Sequence, residues 1–584
     1  MSETAAAPSF VHLHGHSHYS LLDGGAMVPN LVRAARDFGM PALGLTDHGN
    51  IFGAVEFYSA CKDAGIKPIL GCEMYVAPGS RFEKEAHGIS EAAYHLPVLV
   101  QNMAGWKNML KLASLAYTEG FYYRPRVDKE ALAKYSEGLI VINGHFGTEI
   151  ASMLEKGDME AAVAVASQYK DIFGKDRFFI ELQNHHDAAQ MAMIPQLLEV
   201  AKRTGLDVVA TNDHHFLKRD DWESHDVLCC ISMGRTITDE SRLKYSPELY
   251  LKSAAEMRTI FKDLPEACDN TLKIAGMVDL KLDFSARHAP VYTPPVTAPT
   301  PEAPQGTTPT PEDYLRQLCH DGLKEKFGED IATRDPDYFK KLTDRLDFEL
   351  QVICSKGFAS YFLIVWDFCT YARNNGIPVG ARGSGVGTLV GYVLSLCNVD
   401  PVRYDLLFER FMDPQRAAMP DIDIDICQEG RPKVIEYVRN KYGKEGGGVC
   451  QIITFSTLGA KAAVKDVGRV LGVPLQETDK ITKLIPGGPN ITLKDALKIP
   501  DIQKLINENP QIARLFTIAQ RLEGLCRNAG MHAAGVIVCD KPLDTIVPLY
   551  KSGDDIMTQW DGPTCEKVGL LKMDFLGLRT LTTL

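Results

Sequence analysis

A multidomain chain of α/β and α+β class is predicted by three features of the 584-residue sequence. Strand and helix patterns alternate through the first half, a proline-rich break follows near residue 300, and the second half carries short strands bearing aspartates. At roughly 150 residues per domain, the length suggests about three to five domains, each able to bury a core.

In the first half, Ala42–Leu45, Ile69–Gly71, Leu139–Ile142, Phe178–Ile180 and Val208–Ala210 read as buried strands, and Val28–Phe38 and Ala161–Phe173 as helices between them. This repetition argues for an α/β layer or barrel, in which function collects at the C-terminal ends of strands. The run from Pro290 to Pro311 is rich in Pro and Thr, favours extended polyproline structure and cannot pack a core, so it reads as a linker or an insertion.

The formal net charge of −12, from 63 Lys+Arg against 75 Asp+Glu, argues against a histone-like binder of nucleic acid. That total is unevenly spread: residues 1–300 hold 29 basic and 38 acidic residues, whereas residues 431–500 hold 12 and 6. The 14 cysteines include no CxxC pair and follow no secretory signal, which predicts reduced thiols in a cytoplasmic protein. No stretch reaches about 18 apolar residues, so no membrane span is expected.

Thirteen of the 16 histidines lie at or before His225. In Phe10–His18 the alternation of a strand would put His12, His14, His16 and His18 on one face, and further potential ligands follow at successive strand ends. These are Asp23, His48 in Thr46-Asp47-His48-Gly49, Glu73, His95, His145, and the run Asp213-His214-His215. A lone histidine is usually a solvated or capping residue, but a paired HxH with His and Asp at further strand ends points to metal. Imidazoles with bridging carboxylates suit Zn²⁺, Mn²⁺ or Fe ions that activate water for phosphoester hydrolysis.

In the second half, Asp421-Ile422-Asp423-Ile424-Asp425-Ile426 reads as a strand with three carboxylates on one face. Aligned like charges repel and Asp is a poor strand former, so the arrangement predicts bound cations. Gly380-Ala381-Arg382-Gly383-Ser384-Gly385 would let backbone N–H groups approach a phosphate, with Arg382 as a fixed cation and the positive end of the following helix alongside. The loop lacks the Lys-Ser/Thr ending of a Walker A motif. Near the end, Lys572 and Asp574 would project from one face of a short strand, and the whole set is the equipment of in-line nucleotidyl transfer.

The histidine pattern resembles the PHP domain, a distorted (β/α)7 barrel with a trinuclear metal centre. The resemblance implies His14, His16, Asp23, His48, Glu73, His95, His145, Asp213 and His215 as ligands of up to three Zn²⁺ or Mn²⁺ ions; several relatives carry Cys at the position of His145. Gly357–Asp367, the Arg-Gly-Ser-Gly loop, Phe408–Phe411, Gln451–Phe455, Arg527–His532 and Lys572–Phe575 resemble the alpha subunits of bacterial DNA polymerase III, the C-family replicative polymerases. That resemblance implies a PHP domain over 1–287, a linker or insertion over 288–311, a polymerase-beta-like palm over 312–430 and 511–584, and a basic helical thumb over 431–510. It implies catalytic aspartates among Asp421, Asp423 and Asp425, the first two favoured, with Asp574, holding two Mg²⁺. Arg382, Gly383, Ser384, Arg410 and Lys572 would bind the nucleotide.

The implied activity is DNA-templated addition of dNTPs to a primer 3′ end, with primer-template DNA, a sliding clamp, a clamp loader and a separate proofreading subunit as partners near the nucleoid. A second reading is PHP phosphoester hydrolysis, as a 3′→5′ exonuclease or a phosphatase, and a third is a PHP domain that only braces the palm and docks a proofreading subunit. Family members continue into fingers, helix-hairpin-helix and OB-fold regions after the last palm motif, so weak or absent polymerization is expected of this chain alone.

Overall fold

A computed structural model describes residues 9–86, 88–296, 308–413, 422–443, 448–488 and 491–584. Two compact units divide the chain. The first comprises residues 1–282, 453–530 and 547–560, and the second comprises residues 283–452, 531–546 and 561–584.

The first unit is built on a curled sheet of seven strands: β1 (Ala42–Leu45), β2 (Lys67–Val76), β3 (Tyr94–Val100), β4 (Arg126–Val127), β5 (Leu139–Asn143), β6 (Phe178–Gln183) and β7 (Val208–Thr211). The order is β1-β2-β3-β5-β6-β7, with β4 against β2. Apolar strands such as Leu139-Ile140-Val141-Ile142 are buried on both faces, as parallel sheets covered by helices require. Helices are started by side-chain caps, including Asn102, Asp128, Thr148 and Asp187, whose oxygens accept from N–H groups of the first turn.

The pairing departs from a uniform β/α repeat, because β3 runs antiparallel to both β2 and β5. The connection from β2 to β3 holds only the four-residue helix Ile89–Ala92, too short for a crossover, so the chain returns directly. In consequence the first residues of β3, including His95, meet the C-terminal ends of the parallel strands.

The segment Phe10–His18 is expected as a regular strand, but only Gly15 forms a ladder bridge, to His214. It still joins both edges of the sheet. Gly44 N donates to His12 O and Thr46 N to Gly15 O on one side, and His16 N donates to His214 O on the other. The sheet therefore closes into a barrel around this segment, and a Cβ on Gly15 would meet the His214 ring at 1.9 Å.

Two later segments belong to the first unit. Helices Ala460–Val470, Leu475–Leu484, Pro500–Glu508 and Pro510–Leu522 share an apolar core with Val227, Leu228 and Ile231 of the helix Trp222–Met233. The hairpin Leu549–Ser552 and Asp555–Thr558 leads to Gln559 and Trp560. Trp560 stacks on Trp106 at 6.0 Å and donates to Ile51 O at 3.0 Å, while Gln559 bonds Ile51 N and Ala113 O.

The second unit contains β8 (Val379–Ala381), β9 (Asp423–Cys427), the start of β10 (Val449–Thr457), the end of β11 (Cys526–Val538) and β14 (Leu571–Leu578), the hairpin strands above being β12 and β13. Helices Pro311–Phe327, Pro336–Ser355, Ala359–Asn374 and Arg431–Tyr442 supply its core, in which Phe368 packs on Phe575. Tyr292, inside the run read as a linker, is buried in that core, and residues 297–307 of the run lie outside the described residues.

The helical segment expected over 431–510 is distributed differently. Arg431 donates to Phe575 O and Ala533 O, Lys441 pairs with Asp367, and β10 follows. The separate helical cluster runs from Ala460 to Leu522, because the buried run Cys450–Ile453 draws 449–457 into a strand. No single helix among the described residues is long and apolar enough to cross a membrane, and all 14 cysteines are free thiols.

Replacing Trp560 by Ala removes a buried indole and its hydrogen bond together, so thermal denaturation should register a loss of about 3–5 kcal/mol. A variant that melts with the parent would show that the hairpin is not fastened to the barrel.

Candidate metal centre and acidic strand pair

The nine histidine and carboxylate residues that the PHP resemblance implies as ligands meet at one end of the barrel. Glu73 lies within β2 rather than after it, and five imidazoles surround its carboxylate. Oε2 is 2.7 Å from His48 Nδ1, 3.2 Å from His16 Nε2 and 3.5 Å from His14 Nε2, and Oε1 is 2.8 Å from His95 Nδ1 and 2.9 Å from His145 Nε2. Asp213 Oδ1 lies 3.0 Å from His16 Nε2 and 3.3 Å from His14 Nε2. Asp23 Oδ2 lies 3.3 Å from His48 Nε2, and the His16 ring stacks between His48 and His215 at 3.9 and 4.4 Å. Asp213 holds φ +50°, a left-handed conformation that Asp tolerates and that marks ligand sites.

The donor set fits metal ions. His14 Nε2, His16 Nε2, His48 Nδ1, Glu73 Oε2 and Asp213 Oδ1 are buried and none has a hydrogen-bond partner, although they stand 2.7 to 3.5 Å apart. Lone pairs aimed at one another across such gaps are spaced as ligands of a common ion are, with bonds of about 2.0–2.2 Å. Burial alone would lift the Glu73 and Asp213 carboxyls, but the surrounding imidazoles outweigh it and hold both well below the usual range. Burial drives His215 down to about 3, whereas Glu181 overcomes the same burial at His145 and lifts it to about 9.

His12 and His18 do not join this cluster, contrary to the strand alternation. His12 Nε2 bonds Lys252 O at 2.8 Å, and the chain turns at Ser17–Ser20, which carries His18 onto Tyr19. Conversely, Glu181 escaped the sequence reading. Fully buried in β6, it accepts from His14 Nδ1 at 2.7 Å, His145 Nδ1 at 2.6 Å and Thr211 Oγ1 at 2.6 Å. It thereby fixes both rings with Nε2 facing the cluster. Its one sequence signal is an acid inside the apolar run Phe178-Phe179-Ile180-Glu181-Leu182. Ser20 acts similarly, its Oγ lying 3.1 Å from His16 Nδ1 and donating to Asp47 Oδ1 at 2.7 Å.

In the second unit, β9 pairs in parallel with β14 so that Asp423 stands opposite Asp574, and β8 places Gly380 opposite Asp425. Ile422, Ile424 and Ile426 are buried while Asp423 and Asp425 are half-exposed, which is the alternation the sequence predicts. Asp421 lies outside the described residues. Arg382 Nε is 2.9 Å from Asp425 Oδ1 and its Nη1 is 3.6 Å from Asp423 Oδ2; Lys572 Nζ is 2.9 Å from Asp574 Oδ2. Asp574 Oδ1 is buried without a hydrogen-bond partner.

Gly383, at φ +65°, and Ser384 are exposed beside Asp423, and Arg410 is exposed on the turn Phe408–Arg410. The helix after the glycine loop does not offer a free positive end. It is only Leu389–Val393, and the buried Glu349 carboxylate accepts from Leu389 N and Val390 N at 3.0 Å and from Thr388 Oγ1 at 2.7 Å. A buried acid needs donors, and this helix end supplies them.

Comparison with known proteins gives two matches along the chain. A PHP domain model matches residues 12–185, and a model described as the bacterial DNA polymerase III alpha NTPase domain matches residues 313–577. The DNA polymerase III subunit alpha of Treponema pallidum is 44% identical over 581 residues, covering 99% of this chain and 48% of that protein. The corresponding subunit of Borreliella burgdorferi is 44% identical over 578 residues, covering 98% and 49%. An amidohydrolase from Chromobacterium violaceum, solved with bound SO4 and no metal, matches 35% of this chain and 88% of its own at 16% identity and a TM-score of 0.24. The chain spans about half the length of the curated relatives it matches.

Changing Glu181 to Gln keeps its shape but removes the charge that orients His14 and His145. Metal affinity measured by chelator competition should fall about 10–100-fold with the fold intact; unchanged affinity would remove Glu181 from the site. By its domain order and by its similarity to these relatives, the chain belongs to the DNA polymerase III alpha family.

Proposed function

We propose that this chain provides the PHP and palm regions of a replicative polymerase that adds dNTPs to a primer 3′ end under direction of a DNA template. The observation that carries the reading is the in-register pairing of Asp423 with Asp574 on adjacent parallel strands, flanked by Arg382 and Lys572. Parallel strands lie about 4.8 Å apart, so two carboxylates share one face with only side-chain cations to offset them. Asp423 and Asp574, with Asp421 and Asp425, would hold two Mg²⁺.

When bound, such ions would supply activation of the attacking 3′-hydroxyl and charge neutralisation at the leaving pyrophosphate. Arg382 and Lys572 would orient the triphosphate, exchanging their carboxylate partners for phosphate oxygens as nucleotide enters. The exposed Gly383 and Ser384 would let it approach Asp423, and Arg410 would add a further cation.

DNA backbone would be gripped by the helices of residues 460–522, which carry ten Lys+Arg and six Asp+Glu. Lys461, Lys480, Lys483 and Lys494 are exposed there. On this reading the protein works in the cytoplasm at the nucleoid, with a sliding clamp, clamp loader and proofreading subunit as partners.

A second activity is favoured by the orphaned lone pairs around Glu73. There His14, His16, Asp23, His48, Glu73, His95, His145, Asp213 and His215 would hold up to three Zn²⁺ or Mn²⁺ for 3′→5′ exonuclease hydrolysis. The alternative is a PHP domain that docks a separate proofreading subunit.

In the polymerase that contains this chain, Asp423→Asn should lower primer extension by at least about 100-fold, roughly 3 kcal/mol of barrier, and leave removal of a mismatched 3′ nucleotide unaffected. His14→Ala with His16→Ala should do the reverse. Extension by the Asp423 variant at the parent rate would refute the palm assignment, and undiminished mismatch removal by the histidine variant would refute hydrolysis at the PHP centre.

A further inference from the structure

Asp23 faces two ways. Oδ2 is turned to His48 and the nine-residue cluster, whereas Oδ1 lies 3.9 Å from His215 Nε2, 4.0 Å from His225 Nε2 and 4.0 Å from Cys229 Sγ. His225 Nε2 and Cys229 Sγ are themselves 3.7 Å apart. Both residues lie on one face of the helix Trp222–Met233, separated by one turn, and both are buried.

Hydrogen bonding leaves this geometry poorly explained. His225 Nε2 donates to the backbone oxygen of Asp23 at 2.8 Å, and the hydrogen bond to Oδ1 among the described residues is a long one from the Cys229 thiol at 4.0 Å. His215 Nε2, buried, makes no hydrogen bond. Asp23 Oδ1, His225 Nε2 and Cys229 Sγ offer ligand atoms that all lie within 4.8 Å of one another. Bonds of about 2.0–2.3 Å to a tetrahedral ion would set donors some 3.3–3.8 Å apart, so a contraction of a few tenths of an ångström would bring these three into one shell.

We propose that Asp23 Oδ1, His225 Nε2 and Cys229 Sγ form a further site for a thiophilic divalent ion of the Zn²⁺ class, beside the nine-residue cluster and sharing Asp23 with it. It rests on the reading of Asp23 as a ligand and adds two that the nine-residue set lacks. Coordination releases the Cys229 thiol proton to water and moves the His225 proton from Nε2 to Nδ1, the ion replacing the hydrogen bond to the Asp23 carbonyl. The thiolate selects Zn²⁺ or Co²⁺ over Mg²⁺ and Mn²⁺. On the other side of the same helix, Val227, Leu228 and Ile231 pack into the core of helices 460–522, so the ion would also brace the surface that those helices rest on.

The chain, stripped with chelator and reloaded with Co²⁺, tests this by absorption and by elemental analysis. Expected is a near-ultraviolet thiolate-to-cobalt charge-transfer band. Cys229→Ala should lose the band and one equivalent of cobalt, and Cys230→Ala, one residue along in the apolar core, should keep both. His225→Asn, which preserves the thiol, should likewise bind one equivalent less. A band absent from cobalt-loaded parent chain, or band and stoichiometry unchanged in the Cys229 and His225 variants, overturns the site while leaving the nine-residue centre standing. A chain that binds no cobalt at all overturns both.

Discussion

Glu73 accepts the approach of five imidazoles inside a closed barrel, and the placement of nearly every ligand-bearing element follows from bringing those groups to one carboxylate. The antiparallel return of β3 delivers His95 to the same barrel end as His48 and His145. The segment Phe10–His16 closes the sheet by bonding at both edges, and in doing so sets His14 and His16 between Glu73 and Asp213. Glu181 and Ser20 then fix which ring nitrogens point inward. Such a cluster, buried and short of hydrogen-bond partners, is costly unless cations occupy it.

The same condition recurs, in smaller form, on the strand pair of the second unit. Two carboxylates about 5 Å apart at an effective dielectric near 20 repel by about 3 kcal/mol. Lys572 and Arg382 offset part of this, yet Asp574 Oδ1 is left without a partner. Side-chain cations that neutralise carboxylates before substrate arrives are suited to handing those carboxylates to metal and moving to phosphate. Glu349 illustrates the contrasting case, a buried acid fully satisfied by a helix end and therefore structural.

Much of this was legible in the sequence because the chemistry sits at strand ends. The nine candidate ligands stand out as His, Asp and Glu in or after apolar runs, and Asp423 and Asp574 as acids in strands where acids are disfavoured. Glu181 was not legible, since its role depends on β6 lying across the barrel from His14, a separation of 167 residues. His12 was misread because alternation describes a flat strand, whereas this segment forms only one ladder bridge before turning. The bounds of the helical cluster were not legible from charge, which does not distinguish Arg431, donating to two strand carbonyls, from lysines open to solvent. Gln559 and Trp560 carry no motif, and their fastening to the barrel appears only in three dimensions.

Carboxylates left without hydrogen-bond partners in both units are proposed as cation sites. Anomalous diffraction from crystals grown with Mn²⁺ is the decisive measurement. Density is expected around Glu73, within reach of the surrounding imidazoles, with separate density between Asp423 and Asp574. Crystals that hold Mn²⁺ at neither position, with the carboxylates unmoved, would contradict that proposal.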